Sequence, residues 1–221
     1  MTFALLGAIL GTVPAAVPGR AQDAPAPESP DPPELAPPDY GGAIPDDAGT
    51  GAPDDAVGAA EARAAKLEDL YRQLAEPDRD DWERVQTEIE RLWARSGSPA
   101  MDLLLRRAGQ EMHAENYGAA IDHLTALTEL APDFAEGWNA RATAFYQIGE
   151  FSLAMADIEH ALALNPRHFG ALTGLGIILG ETGQYAPALA ALRAAERINP
   201  NQPDIRDHIK RVERSLGTAD L

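Results

Sequence analysis

The chain has 221 residues, enough for one or two ordinary domains with a sizeable core. Its 18 Lys and Arg against 35 Asp and Glu leave a formal net charge of -17, which argues against nucleic acid as a partner and against a basic patch on an anionic membrane. There is no cysteine, so disulfides, thiolate metal sites, cysteine nucleophiles and lipidated cysteines are excluded.

Residues 3–17 are apolar, interrupted by Pro14 and ended by Pro18, and too short for a comfortable membrane span. Small residues stand at the -3 and -1 positions of a cut after Ala21, the pattern a signal peptidase reads. Residues 1–21 are therefore expected to be a signal peptide. The mature chain would then be periplasmic or secreted, with no stable membrane insertion after cleavage. The alternative is an uncleaved N-terminus that anchors the chain to the membrane. Residues 22–56 hold nine prolines, nine acids and no Lys or Arg. Such a stretch cannot bury enough apolar surface to offset its ordering entropy, so it is expected to be a disordered, self-repelling linker. The sharper reading of it is an acidic docking segment for a basic partner.

Within residues 57–99 the pattern becomes helical. Ala60, Ala64, Leu67, Tyr71 and Leu74 recur at three and four, and after the break at Glu76-Pro77-Asp78 so do Trp82, Val85, Ile89 and Leu92. Asp78, Asp80 or Asp81 is expected to cap the second helix. These two amphipathic stretches predict an N-terminal helical hairpin.

From Met101 the sequence aligns with itself at a shift of 34 residues, twice, without a gap. The columns are Leu104, Trp138, Leu172; Ala108, Ala142, Gly176; Tyr117, Phe151, Tyr185; Ala120, Ala154, Ala188; Leu124, Ile158, Leu192; Leu127, Ala161, Ala195; Leu130, Leu164, Ile198; and Pro132, Pro166, Pro200. The small columns predict close helix crossings. The prolines end each unit because proline cannot continue a helical ladder. Gly149 and Gly183 fall where a left-handed helix cap is expected, and in the first unit Asn116 is expected to take that conformation in place of glycine. After Pro200 an amphipathic stretch, residues 203–216, reads as a terminal capping helix.

The period and its columns resemble the tetratricopeptide repeat (TPR) family, with repeats at 101–134, 135–168 and 169–202. The resemblance implies an all-α fold, a short right-handed α-superhelix or solenoid of three helical hairpins. In that family the first helix of each repeat lines a concave groove that binds partners. Carried onto this chain, the groove would present Leu105, Arg106, Gly109, Met112 and His113 from repeat one. Repeat two would add Asn139, Thr143 and Tyr146, and repeat three Thr173 and Ile177. The groove holds no lysine and Asn139 lies one position from the family's clamp asparagine, so a clamp for two carboxylates is not expected.

No catalytic pattern stands out. The five histidines form no H-E-x-x-H pair and read as surface residues, and there is no nucleophile elbow, P-loop or dinucleotide fingerprint. No cofactor, metal or enzymatic activity is expected. The expected function is a non-catalytic scaffold or adaptor that binds a protein or peptide segment in its groove, in the cell envelope. The alternative is a structural subunit or homodimer, a homo-oligomer whose array is only a docking surface and whose Trp82 or Trp93 face is an interface.

Overall fold

The computed structural model describes residues 53–219, all within one of the two units into which the chain divides, Pro33–Leu221. The expected signal peptide and the expected linker up to residue 52 lie outside the described residues. Among the described residues every regular element is a helix. They are α1 (Pro53–Leu74), α2 (Trp82–Trp93), α3 (Pro99–His113), α4 (Tyr117–Leu130), α5 (Ala135–Gln147), α6 (Phe151–Leu164), α7 (Phe169–Glu181), α8 (Tyr185–Ile198) and α9 (Pro203–Ala219).

α1 starts at Pro53, four residues inside the stretch expected to be linker. Proline is tolerated at the first helical position and acids are favoured in the first turn, so Pro53-Asp54-Asp55 serves equally as a helix start. The second helix is capped at Asp81 by backbone position only. Its carboxylate pairs instead with Arg79 and Arg84, at 2.5 and 2.6 Å.

The pairs α3–α4, α5–α6 and α7–α8 are the three repeats, stacked in order and closed by α9. Ala108, Ala120, Ala154 and Ala188 are fully buried, because methyl-sized side chains let the crossing helices approach. The third repeat goes further. A Cβ on Gly176 would lie 2.5 Å from Leu192 Cγ, so glycine is required at that crossing. Leu124, Leu127, Ile158 and Leu192 fill the seams, each full burial of such a side chain contributing about 1.5–3 kcal/mol.

The turns inside the repeats share one geometry. Asn116 N–H donates to Glu111 O at 2.8 Å, Glu150 N–H to Phe145 O at 2.9 Å and Gln184 N–H to Leu179 O at 2.8 Å. The residue before each donor is left-handed: Glu115 (φ 58°), Gly149 (φ 78°) and Gly183 (φ 77°). The expectation for Asn116 is thus corrected. Its φ is -87°, and Glu115 takes the strained angle because the register of the turn outweighs the local preference of asparagine. Asn116 holds the turn by donating its side-chain amide to Glu111 Oε2 at 2.8 Å. A left-handed non-glycine costs about 1–2 kcal/mol, part of which glycine returns as unfolded-state entropy. Glu115→Gly is therefore expected to raise stability by about 1 kcal/mol, read as the midpoint of chemical unfolding.

The N-terminal hairpin does not stack on repeat one as a preceding repeat would. Leu70, Tyr71, Leu74, Val85, Ile89 and Trp93 form a core cluster with Phe169, against which Ile198 also packs. The hairpin therefore lies across the turns that join the later repeats. Asn199 donates to Gln86 Oε1 at 2.8 Å, and Asn201 donates to the carbonyls of Leu74 and Glu76 at 3.2 and 2.8 Å. Arg167 pairs with Glu68 and stacks over Tyr71, 4.0 Å from the ring centroid.

Candidate partner-binding surface

The first helices α3, α5 and α7 lie side by side, and the residues expected to line the groove fall on their shared face. Only two of them are open. His113 is exposed and Arg106 half-buried. Leu105 and Met112 sit in a core cluster with Ala140 and Ala144 of α5. Tyr146 and Ile177 are buried in the next cluster, with Ala171 and Ile178. Gly109 is buried as well. These positions are spent on packing one first helix against its neighbour, since stacked helices bury their facing positions.

The polar members of the face are buried too. Asn139 donates to Glu136 Oε1 at 3.3 Å. Thr143 and Thr173 turn their hydroxyls back to the carbonyls of Asn139 and Phe169, at 3.0 and 2.8 Å. The Tyr146 hydroxyl donates to Glu181 Oε1 at 2.7 Å. Burial, reinforced by the Glu181 carboxylate, pushes the pKa of that hydroxyl well above the ordinary tyrosine range.

Sequence reasoning missed His168, read with the other histidines as a surface residue. It is 2% exposed and precedes α7 as its cap. Nδ1 accepts the Ala171 N–H at 3.1 Å, so Nε2 carries the proton and donates to Glu136 Oε2 at 3.0 Å. Trp93 stacks on the ring at 4.3 Å between centroids and lies 4.8 Å from Phe169. The available signal was its place directly before a first helix, where a capping acceptor is wanted.

Trp93 therefore faces the array of its own chain, not an external interface. Beside this contact is a cleft of about 320 Å³, lined among others by Arg63, Tyr71, Trp93, Phe134, Glu136 and His168. Glu90 of α2 feels both Glu136 and His168 from here. Burial first, and then Glu136, push its carboxyl up to about 7, against the opposing hydrogen bond from Gln86 and the attraction of His168. A carboxyl raised in the folded state favours folding while protonated. The hairpin contact is therefore at full strength below the ordinary value of about 4.5 and weakens as pH rises through 7. Glu90→Gln is expected to leave stability at pH 4 nearly unchanged and to add about 3 kcal/mol at pH 8. Urea melts at the two pH values measure the difference.

Among the described residues no group of His, Asp and Glu could hold a metal ion, and no helix is long and apolar enough to cross a membrane. The described residues thus form an α-solenoid of helical hairpins whose buried polar groups are engaged in packing. Comparison with known proteins makes the class specific. The tetratricopeptide repeat family profile matches residues 105–159 and 139–203. A TPR repeat-containing protein of Rhizobium etli is 34% identical over 159 residues, 72% of this chain and 78% of that one. A contiguous stretch of that length must include residues 63–159, and so takes in most of the hairpin as well as repeat one. The small glutamine-rich tetratricopeptide repeat-containing protein 2 of Mycosarcoma maydis is 28% identical over 116 residues, 52% of this chain but only 33% of its own length. Among solved structures, the Sgt2 TPR domain from Aspergillus fumigatus superposes with a TM-score of 0.53 at 23% identity, over 56% of this chain and 83% of that one. The first TPR of Spaghetti (RPAP3) bound to an HSP90 peptide, SRMEEVD, gives 0.53 at 20% identity, over 54% of this chain and 95% of that one. The chain belongs to the tetratricopeptide repeat family.

Proposed function

We propose that the protein is a non-catalytic adaptor of the cell envelope that recognises a segment of another protein on the face built by its first helices. What carries this reading is the side-by-side placement of α3, α5 and α7, whose shared face is packed over repeats two and three and stays open at repeat one. A TPR relative of similar fold is bound to a peptide in its solved structure, which supports the kind of partner. The packing of the face moves the expected contact towards its open end at repeat one. There Arg106 is half-buried, and Gln110 and His113 are exposed.

A photo-crosslinking residue in place of His113, in cells, is expected to capture a discrete partner, and Arg106→Glu is expected to abolish that capture. The same probe at Asp122, exposed on α4, serves as control. Capture from both positions alike, or from neither, overturns the reading. The envelope location rests on the apolar residues 3–17 and the small residues before Gln22. N-terminal sequencing of the protein recovered from the periplasm or medium should begin at Gln22. An intact Met1 in the recovered chain, or recovery only from the cytoplasm, overturns it.

A further inference from the structure

The outward side of the hairpin carries charge against the grain of the molecule. With one face of α1 and α2 buried on the array, the other opens into a cleft of about 560 Å³ lined by Lys66, Arg84, Thr87, Glu88, Arg91, Leu92 and Arg95. Four cations there face a single acid, in a chain whose formal net charge is -17. Arg84, Glu88, Arg91 and Arg95 recur at four, three and four along the chain, which aligns them on one side of α2 and its end. Lys66 comes across from α1.

Internal pairing does not neutralise this cluster. Glu88 is shared, 2.5 Å from Lys66 Nζ and 3.5 Å from Arg84 Nη1. Arg84 leans also on Asp81, at 2.6 Å. Arg91 and Arg95 are exposed and meet no carboxylate among the described residues. Behind them the Arg63 guanidinium closes the end of α2 by donating to the carbonyls of Leu92 and Arg95, at 2.6 and 2.8 Å. Its charge is thereby held beside that of Arg95. Burial, and then this repulsion, pull Arg63 below the usual arginine range. The α2 dipole welcomes cations in the last turn but not Arg84 in the first, so capping accounts for only part of the cluster.

We propose that this cleft is a second docking site, separate from the face of the first helices, and that it takes an acidic segment of a partner polypeptide. Glu88 shows the chemistry, since a carboxylate already sits between Lys66 and Arg84. Arginine forks such as Arg91 and Arg95 match further carboxylates two bonds at a time. Arg84 to Arg95 spans about 16 Å of helix, the length of about five residues of extended chain, whose alternate side chains face one way. Two or three carboxylates at alternate positions therefore suffice. A long phosphodiester strand would run past the cleft onto a chain whose formal net charge is -17, so a short carboxylate segment is the better match.

The test uses the full-length chain and a fluorescein-labelled hexaglutamate peptide, read by anisotropy in 50 mM salt. Saturable binding is expected, at least tenfold weaker in 0.5 M salt, with none for hexaglutamine. Arg91→Glu/Arg95→Glu should weaken it at least tenfold with an unchanged melting curve, and Lys66→Glu, from the other helix, should weaken it independently. Arg106→Glu, which tests the first-helix face, should leave it unchanged. Absence of saturable binding, equal binding by both charge-reversed variants, or tighter binding of a thymidine octanucleotide than of hexaglutamate overturns the proposal.

Discussion

Trp93→Ala is expected to detach the hairpin while leaving the repeats folded. The indole is the hairpin's anchor, stacked on His168, tilted against Phe169 and 91% buried, with the Tyr71 ring 6.3 Å away. Truncating a buried aromatic to alanine costs about 3–5 kcal/mol. The remaining ties are the rest of the apolar cluster on Phe169 and Ile198, the buried Asn199 and Asn201 with their bonds to Gln86 and two carbonyls, and the exposed pair Arg167–Glu68, which adds little. In a repeat array the stability of each unit depends chiefly on its neighbours, so the loss should stay local. Hydrogen exchange should show α1 and α2 losing protection while α5 to α8 keep theirs. Protection of α2 that survives the substitution would show that the remaining ties hold the hairpin.

The second large effect is at the centre of the array. Arg141 of α5 grips Asp157 of α6 with two parallel bonds, Nε to Oδ2 at 2.7 Å and Nη2 to Oδ1 at 2.8 Å, and donates Nη1 to Thr128 Oγ1 of α4 at 2.9 Å. The side chains are only 15% and 7% exposed. Asp157→Ala strands a buried guanidinium and is expected to cost about 3–5 kcal/mol. One repeat later the equivalent positions are Leu175 and Ala191, an apolar solution to the same site. The double variant Arg141→Leu/Asp157→Ala transplants that solution and is expected to recover most of the loss, because an apolar replacement of a buried pair is often near neutral. Thermal melts of the single and double variants measure this. A double variant no more stable than the single would mean that Leu175 and Ala191 depend on their own surroundings.

Much of this architecture could be read locally. A period of 34 residues reports nearest-neighbour packing, and nearest neighbours make up most of a solenoid, so the repeats, their small-residue crossings and the caps at Gly149 and Gly183 follow from it. The substitution of Glu115 for glycine was visible as a departure. Which residue would bear the strain was not, because the hydrogen bond from Asn116 N–H to Glu111 O fixes the turn's register regardless of preference. The candidate groove was legible as a set of equivalent positions but not as a surface. Equivalence says that Leu105, Asn139 and Thr173 stand alike on their helices; exposure depends on what the next helix covers.

The sequence by itself thus determined what repeats with short range: the helical hairpins, their order, and the glycine caps of the second and third repeats. Only the tertiary structure decided what joins residues far apart. Tyr71 meets Arg167 across 96 residues and Asn199 meets Gln86 across 113, with no period to announce either. Those long contacts fold the hairpin back over the later repeats, bury Trp93 and His168, and turn the cations of α2 outward. The physical reason is that apolar faces seek whatever complementary surface the chain can bring to them. Sequence spacing records the face, while the partner is set by where the folded array places Phe169 and Ile198.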